Sequence, residues 1–206
     1  MPTQADLDAA NVYTSIMEEA KFRALSINTF TGSQSAFPIA LLREFCFLQL
    51  RMLCELIALG CLVAHGDIEE TKAPTLQKAH NAGDILKRLE LLHPNFYPVP
   101  RNTVFGPGSV HLADYDREFL TKDDLMTLYG KCGDVLHRGS LRRLLNPKNQ
   151  LPPDFQDIQG WGQKILNLLS VHTIQRIGGN FLFLTVLEAP QVGGNVLVSL
   201  AESPNL

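Results

Sequence analysis

The sequence predicts a mainly α protein: a five-helix bundle with a long loop (about 93–121) and a C-terminal β-hairpin. Three observations carry that expectation. Thr3-Gln4-Ala5-Asp6 and Thr121-Lys122-Asp123-Asp124 both have capping-box spacing, each ahead of a stretch of helical periodicity. From Phe45 to Ala64 the chain is apolar at nearly every position, as in a helix wrapped by neighbours. Near the end, Phe181 to Leu187 and Val196 to Leu200 are short β-rich runs separated by Pro190 and Gly193-Gly194-Asn195.

The elements follow in order. The first helix is expected from about Gln4 to Ser26, with Asp6 and Asp8 favourable to its N-terminal dipole. Asn28 to Ser35, rich in Thr, Ser and Gly, reads as a loop, and Pro38 suits the first turn of a second helix reaching about His65. A third helix fits Pro74 to Leu92, with Leu76, Ala79, Leu86 and Leu89 on one side and His80, Asp84 and Lys87 on the other. Pro94, Pro98, Pro100 and Pro107 then mark the long loop, in which Thr103-Val104-Phe105 and Val110-His111-Leu112 suit a small hairpin. The fourth helix spans Thr121 to about Leu136; the fifth runs from about Asp154 to Arg176, weakened early by Gly160 and Gly162. Two units result: a helical bundle over 1–176, and a hairpin appendage over 177–206 packed on the bundle or on a partner chain.

Composition narrows the function classes. In 206 residues, 45% are hydrophobic, enough to bury a core and exclude a disordered chain. A net charge of −3 argues against a surface that grips nucleic acid or an anionic membrane everywhere. Charged residues make up 19%, below a common share of about 25%, so apolar surface is expected to meet a partner. Met-Pro-Thr-Gln-Ala-Asp shows neither a basic n-region nor an apolar h-region, so no secretory signal is expected. Cys46, Cys54 and Cys61 stand more than about 10 Å apart on a helix, beyond disulfide reach, which fits reduced thiols in the cytoplasm. Gln49, Arg51 and Glu55 in mid-segment argue for a buried helix and against a membrane span.

The second helix carries the first candidate site. Glu44, Arg51 and Glu55 fall within roughly 40° of one another on a helix of 100° per residue. Arg51 can reach Glu55 one turn away. The stripe reads either as a solvated or internally paired face, or as binding residues lining a polar pocket. On the same helix Cys54, Cys61 and His65 are zinc-type ligands at helical spacing, with Cys132 or His137 as a fourth; without a paired Cys-x-x-Cys the expectation is core cysteines, no metal and no cofactor. His80 and Asp84 sit one turn apart on a face shared with Lys87, which suits solvent exposure. In the fourth helix, Leu125, Leu128, Tyr129, Cys132, Val135 and Leu136 form a core stripe, while Gly130, Gly133 and His137 mark a neighbouring groove open to a close approach.

A basic run follows: Lys131, Arg138, Arg142, Arg143 and Lys148, with only Asp134 against them, a local patch for RNA or another polyanion. Taken with the Arg/Glu helix and Tyr129-x-x-Cys132-x-x-x-x-His137, it resembles HEPN domains. The resemblance implies a small helical dimer of a kind that includes many RNases of toxin and antiphage systems, with an Arg and a His four to six residues later acting on the scissile phosphate at the dimer interface. His137 is preceded at that distance by Lys131, which lacks the guanidinium fork. The literal spacing occurs only at Arg88 to His93, where chance accounts for it.

The leading expectation is a self-associating interaction module, homo-oligomeric through its hairpin or a bundle face. The alternative is a metal-independent RNase or RNA-binding protein with His137 and Lys131 catalytic and Arg138, Arg142 and Arg143 binding. A third reading places a small-molecule or metal site among Glu44, Glu55 and His137.

Overall fold

The computed structural model describes residues 2–32, 37–66, 68–79, 81–106, 109–137, 154–176 and 181–202. Among them are the helices α1 (Gln4–Gly32), α2 (Ile39–Ala64), α3 (Pro74–Gln77), α4 (Ala82–Leu92), α5 (Lys122–Leu136) and α6 (Gln156–Leu169). The strands are β1 (Val99–Gly106), β2 (Ser109–Asp114), β3 (Val171–Gln175), β4 (Phe181–Val186) and β5 (Leu197–Glu202). They form one antiparallel sheet in the order β2-β1-β3-β4-β5.

The mainly helical character holds, and four expectations are corrected. First, α1 continues into the expected loop as far as Gly32. The hydroxyls of Thr29 and Thr31 donate back to the carbonyls of Leu25 and Ile27, so the polar residues that suggest a loop are satisfied within the helix. Second, the expected third helix is broken into α3 and α4. Asn81 caps α4 by accepting the Asp84 N–H at 3.2 Å, which restarts the helix.

Third, the small hairpin expected in the long loop forms, pairing Thr103 with Leu112 and Phe105 with Val110, but its strands β1 and β2 are longer than expected and belong to the main sheet. β1 meets β3 only at Val99 and Pro100. Pro100 has no N–H to continue a ladder. Fourth, the fifth helix stops at Leu169, and the stretch assigned to its last turns is β3. His172, Thr173 and Ile174 are all buried in that strand, and pairing with β4 supplies what a solvent-exposed helix end cannot. The C-terminal hairpin β4–β5 is therefore one edge of a five-stranded sheet.

α2 forms the centre, packed against α1, α4, α5 and α6. Cys46, Leu50, Leu53, Cys54, Ala58 and Cys61 are completely buried. By length and composition α2 alone among the described helices could cross a membrane; 67% of that stretch is buried inside the fold. Helix and sheet are tied together at Tyr13. Gly60 of α2 faces its ring, where a Cβ would stand 3.0 Å from Tyr13 Cε2, so this close helix approach needs a glycine. Tyr13 reaches His172 of β3 at 2.6 Å, while His172 Nδ1 lies 3.1 Å from the Leu169 carbonyl. A carbonyl only accepts, so Nδ1 carries the proton, Nε2 is the acceptor, and the Tyr13 hydroxyl donates.

Candidate functional site: the outward face of the central helix

α2 is not wrapped on all sides. With Leu48 as the reference direction and 100° per residue, Leu41, Glu44, Phe45, Arg51, Met52 and Glu55 all fall within about 60° of it. Every one of these is exposed or half-buried, whereas positions on the opposite side are buried. Leu41 is 53% exposed and Leu48 43%. The sector is mixed: Phe45 and Met52 lie to one side of Leu48, and the charged residues to the other. α1 flanks the apolar side, where Phe30 packs edge-to-face on Phe45 at 4.7 Å and Phe22 is 66% exposed.

α5 flanks the charged side. Arg51 Nε donates to Glu55 Oε1 at 3.2 Å, and its Nη2 donates to the Tyr129 hydroxyl at 3.1 Å. That hydroxyl in turn donates to Glu55 Oε1 at 3.1 Å, closing a triangle. The Arg51 guanidinium also lies 4.8 Å from the Tyr129 ring centre. Burial and the Glu55 carboxylate push the Tyr129 hydroxyl above its ordinary pKa, so it remains a donor. The sequence placed Tyr129 in the core; its ring is only half-buried and its hydroxyl joins the polar cluster. Arg51 and Glu55 are thus brought together as the spacing suggests, and Glu44 is exposed with no polar partner among the described residues.

One of the α5 glycines borders this cluster at ordinary van der Waals distance. Gly133 faces Arg51, whose Nη1 would be 3.8 Å from a Cβ there, while Gly130 faces open space. His137 is the C-cap residue of α5, one turn beyond Gly133 and exposed. Lys131 lies about 120° around the helix from His137. Its Nζ is 3.7 Å from Asp157 Oδ2, away from that face. Arg138, Arg142 and Arg143 lie outside the described residues, as do Lys148 and His80. His93 is held within the fold: its Nε2 lies 3.0 Å from the Gln175 carbonyl, to which it donates.

A second charged cluster had no sequence-based reading. Arg43, 1% exposed, points from the buried side of α2 to α6, where its Nη2 donates to both Asp157 oxygens at 2.9 and 2.8 Å. Nη1 donates to the Asp154 carbonyl. Burial works against the Asp157 carboxylate, but the hydrogen bonds and charge of Arg43, with Lys131 adding to them, hold its pKa below the ordinary value. The signal was present: Arg43 stands alone in an otherwise apolar sector, which demands a buried acid from elsewhere in the chain.

The zinc-type residues are differently engaged. Cys46, Cys54, Cys61 and Cys132 are buried free thiols, and burial raises all four pKa values, Cys46 to about 11 and Cys132 to about 12. They are therefore poor sources of thiolate. Both ring nitrogens of His65 face carbonyls, Nδ1 that of Cys61 at 2.8 Å and Nε2 that of Gln175 at 3.1 Å. Among the described residues no three His, Cys, Asp or Glu side chains are arranged to hold a metal.

The fold and face together define a mainly α protein with a central helix exposed along one sector and a five-stranded antiparallel sheet. No protein-family model, curated protein or solved structure matches the chain.

Proposed function

We propose that the protein is a self-associating interaction module whose contact surface is the outward face of α2. The observation that carries this is the exposure of Leu41 and Leu48 along the N-terminal half of the most apolar helix, beside half-buried Phe45 and Met52. Contiguous apolar surface of this kind marks an interaction site in soluble proteins. Sedimentation velocity across a concentration series tests it. Wild type sediments as a dimer at micromolar concentration, and Leu48→Lys raises the dimer dissociation constant at least about tenfold with an unchanged circular dichroism spectrum. A wild type that stays monomeric across the series, or a Leu48→Lys protein that associates as before, overturns this reading.

A second reading is favoured by one arrangement on α5. Tyr129, Gly133 and His137 share a face, and the guanidinium over Gly133 belongs to Arg51. In a metal-independent RNA cleavage of the HEPN kind, His137 serves as general base for the 2′-hydroxyl and Arg51, in place of Lys131, as the cation beside the phosphate. Cleavage of RNA in the presence of a chelator, reduced at least about a hundredfold by His137→Ala, is the expected result. Intact RNA after incubation with wild type removes this reading and leaves the first untouched.

A further inference from the structure

We infer that two copies pair through α2 in an antiparallel, two-fold arrangement, with Leu48 beside the axis and Glu44 of each copy against Arg51 of the other. The inference rests on the self-association reading and specifies its register. Glu44 and Arg51 are seven residues apart, about 10.5 Å along the helix, with their midpoint between Phe47 and Leu48. A two-fold axis through that midpoint exchanges the two positions, so each acid meets the base of the other copy. A parallel pairing in register instead opposes Glu44 to Glu44 and Arg51 to Arg51, and like charges repel.

The lateral placement agrees with the axial one. Glu44 and Arg51 lie on the same side of the line through Leu48, at roughly 40° and 60° from it, and Phe45 and Met52 lie at similar angles on the other side. A two-fold axis perpendicular to both helices keeps each side on its own side. The interface then has an ionic edge made of two Glu44–Arg51 pairs, an apolar edge where Phe45 meets Met52, and Leu41 and Leu48 between them. This self-complementarity is what an isologous interface requires.

Both charged groups have capacity for the contact. Glu44 has no hydrogen bond or ion pair among the described residues. Arg51 uses Nε and Nη2 within its own chain, its Nη1 has no hydrogen-bond partner among the described residues, and its side chain is 29% exposed. The bonds to Glu55 and Tyr129 hold the guanidinium in place, so little side-chain freedom is lost when the second copy docks.

The test is a charge exchange between chains. Glu44→Arg and Arg51→Glu each turn both ionic pairs of the dimer into like-charge pairs, and each raises the dissociation constant at least about tenfold. Mixed in equal amounts, they form a heterodimer in which both pairs are again opposite, with affinity restored to within about threefold of wild type. Arg51→Glu also loses its bonds to Glu55 and Tyr129, so its melting curve is recorded alongside.

A second measurement needs neither charge variant. With helix axes about 8–10 Å apart, the two Leu48 Cα atoms come within disulfide range. Leu48→Cys therefore cross-links under mild oxidation, whereas Leu41→Cys, about 20 Å from its counterpart in this register, does not. The native cysteines are buried and do not compete. A wild type without any dimer overturns the self-association reading itself. A dimer that tolerates Glu44→Arg, fails to recover in the mixture, or cross-links through Leu41→Cys in preference to Leu48→Cys overturns this register while leaving that reading in place.

Discussion

Asp157→Ala is expected to lower the unfolding free energy by about 3–5 kcal/mol, the cost of leaving a buried guanidinium without its carboxylate. Arg43 is 1% exposed, and Asp157 accepts two hydrogen bonds from its Nη2. The remaining Asp154 carbonyl contact carries no formal charge. Arg43→Met is expected to lose less, about 1–2 kcal/mol, because Asp157 keeps the Lys131 ammonium at 3.7 Å and a side chain one-quarter exposed to water. Urea denaturation of the three proteins separates the outcomes. Equal losses in both variants, or a loss below about 1 kcal/mol in Asp157→Ala, contradict the view that charge burial at Arg43 dominates.

The second large effect is acid sensitivity at the buried junction of α1 and β3. Burial lowers the His172 pKa to about 4, only partly opposed by its bond to the Leu169 carbonyl. An unfolded imidazole titrates near 6.5, so between about 6.5 and 4 the unfolded chain takes up a proton that the folded chain does not. This contribution to stability is complete above about pH 6.5 and declines as pH falls, the loss reaching about 3 kcal/mol near pH 4. Below that it is constant. Protonation also forces an N–H at Nε2 against the Tyr13 hydroxyl, which must then turn its own hydrogen away. Asp6 opens a separate, more acidic window. Its hydrogen bonds with Arg176 and Thr3 hold its pKa at about 2, so its contribution is lost as pH falls from about 3.8 through 2. NMR titration of the imidazole reads the first window directly. A His172 resonance that titrates between pH 6 and 7 in the folded protein removes the argument.

Much of the fold was legible in local chemistry. The Thr121 capping box is formed by both of its bonds, Pro38 precedes the first turn of α2, and the small hairpin pairs the residues its β-rich runs suggested. The misreadings share one cause. Thr29 and Thr31 suggest a loop by type, yet within α1 they bond to their own helix and place Ile27 and Phe30 in contact with the core. The stretch from Val171 to Gln175 follows a helix without punctuation, and its strand exists because β4 is available to pair with it. At the site, the Arg51–Glu55 pair could be read from one-turn spacing. The Tyr129 hydroxyl, the Asp157 carboxylate and the open side of α2 could not, because each depends on which helix lies beside α2 and at what angle.

The residue order alone thus dictated that α2 is helical, apolar and internally charged, since periodicity and propensity act within one or two turns of the chain. It also placed Glu44, Arg51 and Glu55 on one side, which is a matter of 3.6 residues per turn. Packing chose which part of that cylinder was covered: α1, α4, α5 and α6 enclose the rest and leave the sector around Leu48 to solvent. Such enclosure sums contacts between segments far apart in sequence, here Arg43 with Asp157 and Tyr13 with His172, and no local pattern encodes those distances.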